Sequence, residues 1–395
     1  MASPIVLYSI EAMPGGPARR EGRGNTTVKV LYLVNYAGKA GIEKYVQNLT
    51  RLLPASGGTP YFAYAIPGEL SEKLAAAGVP SLRLSLEWKN ALSAARTLAA
   101  YCREHGIEVI HAQCPRENVI ALLARRHLPG LRVVYTEHFT RRCGALWRML
   151  YRHFTPKNHR VIAVCQESRD VLIANGCRPD KIRVIYNGIA PRTERPHSDA
   201  LRRELGLGED VFLIACLARF DPEKGLDFLV DALAALKART DRPFCCCVAG
   251  DGVLMDDIRA RIAQAHLEAE MRLLGYRTDA EAILAGAQMY VCSSRCNEAL
   301  SFAILEAMNS ALPLVVTDVG GNRDLAETGT VCGTVVPFGD TAGFAGAMAE
   351  LMENDALRQS YSDAALRKVA QRFDLNKLAL DVFETYQETE KCEHD

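Results

Sequence analysis

Two acids stand close together in NEALSFAILEAM, residues 297–308: Glu298 just before an apolar run and Glu306 inside one. A carboxylate among apolar neighbours is costly unless a cation or a hydrogen-bond donor meets it. MYVCSS (289–294) reads as a strand, and the pattern after Glu298 predicts a helix starting near Ser301. Glu306 then lies about one and a half turns into that helix. There its carboxylate can accept both hydroxyls of a ribose; the alternative is a core glutamate paired with Lys or Arg. The N–H groups of Leu300, Ser301 and Phe302 fall at the helix start, where the helix dipole favours an anion.

Other candidates also follow strands. In CLARFDPEKGLDFLVDAL, Arg219 comes at a strand end, and Lys224 and Gly225 at the entry to a helix. Two cations and a glycine at a helix start make either a diphosphate cradle or a solvated turn. Gly250 and Gly252 flank Asp251 in VAGDGVL, and LLGYRTD puts Gly275, Tyr276 and Arg277 where a base can lie. TDVGGNRDLAE supplies Gly320 and Gly321, a further backbone approach point. In the first half, NYAGKAGIEK holds Gly38 and Gly41 before a helix. It is not G-x-G-x-x-G, and no acidic residue ends a following strand at the right distance, which counts against a dinucleotide-binding dehydrogenase. His138 closes the strand-like RVVYTEH.

These residues need elements to hold them. Candidate strands are 28–35, 61–66, 108–112, 132–138, 160–165 and 182–187, then 211–218, 244–250, 271–275, 289–294, 313–318 and 333–337. Helical patterns intervene, such as 41–53 and 85–106. Near-continuous apolar strands separated by helices indicate parallel sheets covered on both faces. Two such series predict an α/β chain with two doubly wound domains facing each other, ligands lying beyond the C-terminal strand ends. The Pro-rich, charged stretch APRTERPHSDA (190–200) marks the boundary. The divisions expected are an extension over 1–27, a first domain over 28–190, a second over 191–372, and a C-terminal helix with an acidic tail over 373–395. That helix has an apolar face for either domain.

Composition excludes some classes. With 49% hydrophobic and 24% charged residues, the 395-residue chain has enough apolar material for two cores. No run of about 18 apolar residues predicts a membrane-spanning helix. At the N-terminus basic residues follow the short apolar piece, opposite to a secretory signal. Cys245, Cys246 and Cys247 suit a buried strand, and Cys292 and Cys296 lack a second pair, so no metal site is expected and a reduced interior explains the thiols. Net charge is zero, but residues 1–190 hold 26 basic and 13 acidic side chains, against 21 and 34 in the rest. The basic half either faces an anionic partner or attracts the acidic half.

The run from LARFDPEKG through VAGDGVL and LLGYRTDAEAILAGAQMYVCSSRCNEALSFAILEAM to TDVGGNRDLAE resembles the donor half of glycosyltransferase family 4. GIEKYVQNL, VIHAQCPRENVIALLARR, VVYTEHF and RVIAVCQESRDVLIANGCRPDKIRVIYNGI are similar to its first half, so the resemblance covers roughly residues 28–390. These are retaining, nucleotide-sugar-dependent enzymes of the GT-B fold, and Glu298 and Glu306 match their E-x7-E motif. The resemblance implies two Rossmann-like domains with a cleft, the first binding the acceptor and the second the nucleotide sugar, and transfer of a hexosyl group from a nucleotide-diphosphate sugar to a saccharide or lipid-linked acceptor in cell-surface polysaccharide or glycoconjugate synthesis. By it, Arg219 and Lys224 hold the diphosphate and Glu306 the ribose. Glu298 lies beside the transferred sugar, with the Leu300 and Ser301 N–H groups on sugar or phosphate, and His138 near the reacting face. Gly41, Gly250, Gly275 and Tyr276 complete the donor site. No D-x-D ends a strand, so neither metal nor other cofactor is expected, and nucleic acid is not an expected partner.

Two positions depart from the family pattern: Ala40 replaces one glycine of a usual pair, and ALSF replaces the common GFG after Glu298. The basic, aromatic stretch 139–160 suits either an anionic membrane surface, with the enzyme peripheral on the cytoplasmic face, or plain solvation. Alternatives are a sugar-phosphate or sucrose-type synthase with a soluble acceptor, or a catalytically silent nucleotide-binding scaffold.

Overall fold

The structure, a computed structural model, describes residues 28–38 and 40–388. The extension expected over 1–27 and the acidic tail past Glu388 lie outside the described residues.

The apolar runs form two sheets. The first contains β1 (Lys29–Tyr36), β2 (Thr59–Ile66), β3 (Ser81–Arg83), β4 (Val109–Ala112), β5 (Arg132–Glu137), β6 (Arg160–Ala163) and β7 (Ile182–Val184). Its order is β3-β2-β1-β4-β5-β6-β7, every pairing parallel. The second contains β8 (Phe212–Leu217), β9 (Phe244–Ala249), β10 (Met271–Gly275), β11 (Met289–Cys292), β12 (Leu314–Thr317) and β13 (Gly333–Val336). Its order is β10-β9-β8-β11-β12-β13, again parallel. Both orders reverse direction once, between β1 and β4 and between β8 and β11, and such a switch point opens a crevice at the C-terminal strand ends.

Helices cover both faces of each sheet, so most strands are buried on both sides. β9 shows the alternation directly: Cys245 and Cys247 enter one core of the second domain and Cys246 the other. Two expectations need correction. β3 was not anticipated, because SLR is a three-residue edge strand without an apolar run. The helix read over 85–106 begins only at Ala91, after a short turn at Trp88–Asn90.

The helix Leu375–Gln387 returns to the first domain. Leu375, Leu378, Val382, Phe383 and Tyr386 are buried against Tyr32, Val46, Leu49 and Phe62. Each large apolar side chain so buried contributes roughly 1.5–3 kcal/mol before entropy. The two interdomain crossings run side by side: Ile189 N–H donates to Phe373 C=O (2.9 Å), and Leu375 N–H to Ile189 C=O (3.1 Å). Arg160 pairs with Glu388 at 2.7 Å, and Arg183 with Glu384 at 3.1 Å. Part of the charge asymmetry is thus satisfied internally, by an acidic helix lying on basic strands.

Candidate active site

The second domain supplies a cation and an acid as a unit. After β8 the chain turns through Pro222–Lys224, with Asp221 accepting from Glu223 N–H (3.1 Å). This aims Lys224 at the loop after β11, where its ammonium binds the Glu298 carboxylate. Ser294 Oγ donates a second hydrogen bond to Glu298 (2.8 Å). Glu298 is only 6% exposed, so these contacts answer the need for a partner. Gly320, with φ +60°, backs onto the Glu298 carbonyl so closely that any Cβ would collide with it. Arg219 stands near Lys224 and, being largely exposed, pairs with Asp221 (2.9 Å).

The expected helix runs Phe302–Asn309 with Ser301 as its N-cap, the hydroxyl accepting from Ile304 N–H at 3.5 Å. Ala299 and Leu300 of the ALSF loop are buried. Glu306 is half-buried, and its partner comes from the opposite domain: Lys44 of the helix Gly41–Leu52 forms an ion pair with it. Lys44 also lies 5.3 Å from the Phe302 ring centre. Ala40 precedes that helix at φ −93°, so replacing a glycine there brings no backbone strain.

The first domain contributes the loop after β5. Glu137, buried at the strand end, accepts from Tyr135 Oη (2.6 Å), Tyr151 Oη (2.7 Å) and Phe139 N–H (3.2 Å). Burial pushes its pKa up, against those donors. This clamp sets His138. Gln113 donates through Nε2 to the His111 carbonyl (3.1 Å), so its Oε1 accepts from His138 Nε2 at 2.9 Å. That leaves His138 Nδ1 as an acceptor. Burial pushes the His138 pKa down to about 3, so the ring is neutral near pH 7. Two residues on, Thr140 Oγ1 donates to the Glu298 carbonyl (2.8 Å), tying this loop across the cleft.

The loop that carries His138 therefore faces the Lys224–Glu298 pair across the cleft, and Glu306 is joined across it to Lys44. Gly250 N–H donates to the Gly275 carbonyl (2.8 Å), putting both expected glycines at neighbouring strand ends, with Tyr276 half exposed beside them. Arg277 is committed to Glu204 and Asp279. Sequence reasoning missed Lys44, Gln113, Glu137 and Thr140. Only Lys44, directly after the glycine turn, carried a local signal.

Two family models match, one on each domain: Glycosyltransferase Family 4 over residues 40–192 and Glycosyl transferases group 1 over 197–368. The chain is 24% identical over 307 residues to the UDP-Gal:alpha-D-GlcNAc-diphosphoundecaprenol alpha-1,3-galactosyltransferase of Escherichia coli, covering 73% of this chain and 77% of the relative. It is 27% identical over 293 residues to the N-acetylgalactosamine-N,N'-diacetylbacillosaminyl-diphospho-undecaprenol 4-alpha-N-acetylgalactosaminyltransferase of Campylobacter jejuni, covering 71% and 76%. The fold superimposes on Anabaena Alr3699/HepE in complex with UDP with a TM-score of 0.80, at 21% identity, covering 91% of this chain and all of the other. The chain is a GT-B-fold glycosyltransferase, homologous to family 4 and related enzymes. It transfers a sugar from a nucleotide-diphosphate sugar to an acceptor.

Proposed function

We propose that the enzyme is a retaining, metal-independent hexosyltransferase acting on a lipid-linked saccharide, in cell-surface polysaccharide or glycoconjugate synthesis. The observation carrying this reading is the Thr140–Glu298 bond, which sets the His138 loop against the Lys224–Glu298 pair. In this reading Lys224 and Arg219 stabilise charge on the departing diphosphate, helped by the Leu300 and Ser301 N–H groups at the start of the helix Phe302–Asn309. Glu306 holds the ribose, with Lys44 as the cation it leaves. Gly250, Gly275 and Tyr276 line the base end, and Gly41 approaches the diphosphate. His138 Nδ1 accepts a hydroxyl of the transferred sugar. Neutral, it does not compete for protons, and the leaving phosphate helps to deprotonate the acceptor hydroxyl on the same face. The protein's cations supply charge stabilisation, which supports a reaction without metal.

Two relatives are named for sugars on diphosphoundecaprenol, which supports a lipid-linked acceptor. The helix Ala145–Phe154 supports peripheral membrane docking from the cytoplasmic side. It buries Tyr151 but exposes Leu146 and Met149, near Arg141, Arg142 and Arg148. The test incubates the enzyme with UDP- and GDP-sugars and short-chain lipid diphosphosaccharides in EDTA. A product with the donor's anomeric configuration, read by NMR coupling, supports the reading. An inverted anomer, or activity lost to EDTA, overturns it. Flotation without preference for anionic vesicles removes the membrane part.

A further inference from the structure

The chain's two tryptophans, Trp88 and Trp147, are 59 positions apart in sequence yet meet in space. Their ring centres lie 6.0 Å apart, tilted by 55°. Trp88 follows β3 and Trp147 opens the helix after β5, so both stand at the C-terminal edge of the first sheet. Between them the helix Pro115–Arg125 begins, and Trp147 shares an apolar cavity with Pro115 and Asn118. Trp88 is 48% exposed, an uncommon setting for the largest apolar side chain in a protein.

Two polar groups stand on the first turn of that helix, between the cavity-lining Pro115 and Asn118. Glu117 is 1% exposed, yet neither carboxylate oxygen finds a hydrogen bond of ordinary geometry among the described residues. Arg116 Nε is likewise buried without a partner, and its Nη2 lies 3.9 Å from Glu117 Oε1, too far for a hydrogen bond. Burial raises the Glu117 pKa, while its own N–H, Arg116 and the Asn35 N–H oppose the shift. Glu87, beside Trp88, is held low first by Lys89 and more distantly by Arg116, which places the guanidinium near the Trp88 turn.

We propose that this cluster is the subsite for a neutral sugar ring of the acceptor, with Trp88 and Trp147 against its apolar face and the part-exposed Arg116, backed by the buried Glu117, on its hydroxyls. The ligand class follows from the donor set. An aromatic face packs on C–H groups and a guanidinium donates to hydroxyls. Together Arg116 and Glu117 carry no net charge, so the subsite does not select a phosphate, and at 3.9 Å from Glu117 the guanidinium keeps donors for a ligand hydroxyl. This rests on the reading of the first domain as the acceptor side.

Because both tryptophans lie here, emission from the full chain reports on the subsite directly. It is titrated with methyl α-glucoside, methyl α-galactoside, methyl N-acetyl-α-glucosaminide, chitobiose and, separately, phosphatidylglycerol vesicles. A saturable change with at least one neutral saccharide is expected. Trp88→Ala and Arg116→Gln, at an exposed and a part-exposed position, should each weaken it tenfold or more, leaving the rise in melting temperature with UDP or GDP unchanged. Response to vesicles but to no saccharide overturns the proposal in favour of a membrane anchor, and silence towards every probe overturns it as well. A wild-type chain that fails to respond to either nucleotide counts against the donor site instead.

Discussion

Replacing Lys224 by Met should destabilise the second domain, and replacing Glu298 as well should restore much of the loss. The pair is well buried, with side-chain exposures of 23% and 8%. Two unit charges about 4 Å apart attract by ~4 kcal/mol at an effective dielectric constant of ~20. Removing one partner of a buried pair typically costs ~3–5 kcal/mol, because the other charge stays buried. The Ser294 hydrogen bond survives in Lys224→Met and retains ~1 kcal/mol. A net loss of about 3 kcal/mol remains, or roughly 10 °C in the melting of a domain of this size. Lys224→Met with Glu298→Gln removes the stranded charge and should regain more than half of that. Scanning calorimetry on the single and double variants measures it, and with Lys224 in its proposed role as diphosphate cation both should be inactive in transfer. A single variant melting within about 2 °C of wild type, or a double variant no more stable than the single, would refute the reasoning.

Three further outcomes are expected. Glu306→Ala should weaken UDP or GDP binding by about 10- to 100-fold, the worth of one or two hydrogen bonds to a charged group, whereas Lys44→Ala should change it less than threefold in calorimetric titration. His111, fully buried between Tyr386 (2.6 Å) and Thr136 (2.7 Å), has its pKa pushed down to about 3 by burial. Between pH 6.5 and about 3 the unfolded chain binds a proton that the folded one does not, so stability falls with falling pH, by up to ~1.4 kcal/mol per unit. In urea melts, His111→Asn should flatten that slope. Gly320→Ala should reduce transfer by more than tenfold with the second sheet intact by circular dichroism, since its Cβ displaces the Glu298 backbone.

The strands were legible because runs such as VKVLYLVN and FCCCVAG are apolar on both sides, which few other elements tolerate. The stretch around Glu298 and Glu306 was legible for a related reason: acids beside apolar runs demand partners. The identity of those partners was only partly so. Lys224 lies within a recognisable turn. Lys44 and Thr140 act across the cleft, and their contacts depend on how two domains meet, which no local pattern encodes. β3 is too short to carry a period. The amphipathic face of residues 375–387 announces a helix, but apolar surface does not name the domain it will cover.

That last helix has a consequence for synthesis. The first domain emerges from the ribosome before the second, yet Val382, Phe383 and Tyr386, which wall its core, are translated only after the second. Domains commonly fold in the order they are made; here the earlier one must wait, half-covered, while the later one folds. A transcript cut short before Leu375 would yield a chain with an intact second domain and a bare apolar groove on the first, a surface that chaperones and proteases recognise. The packing of the first domain thereby waits on synthesis of the second.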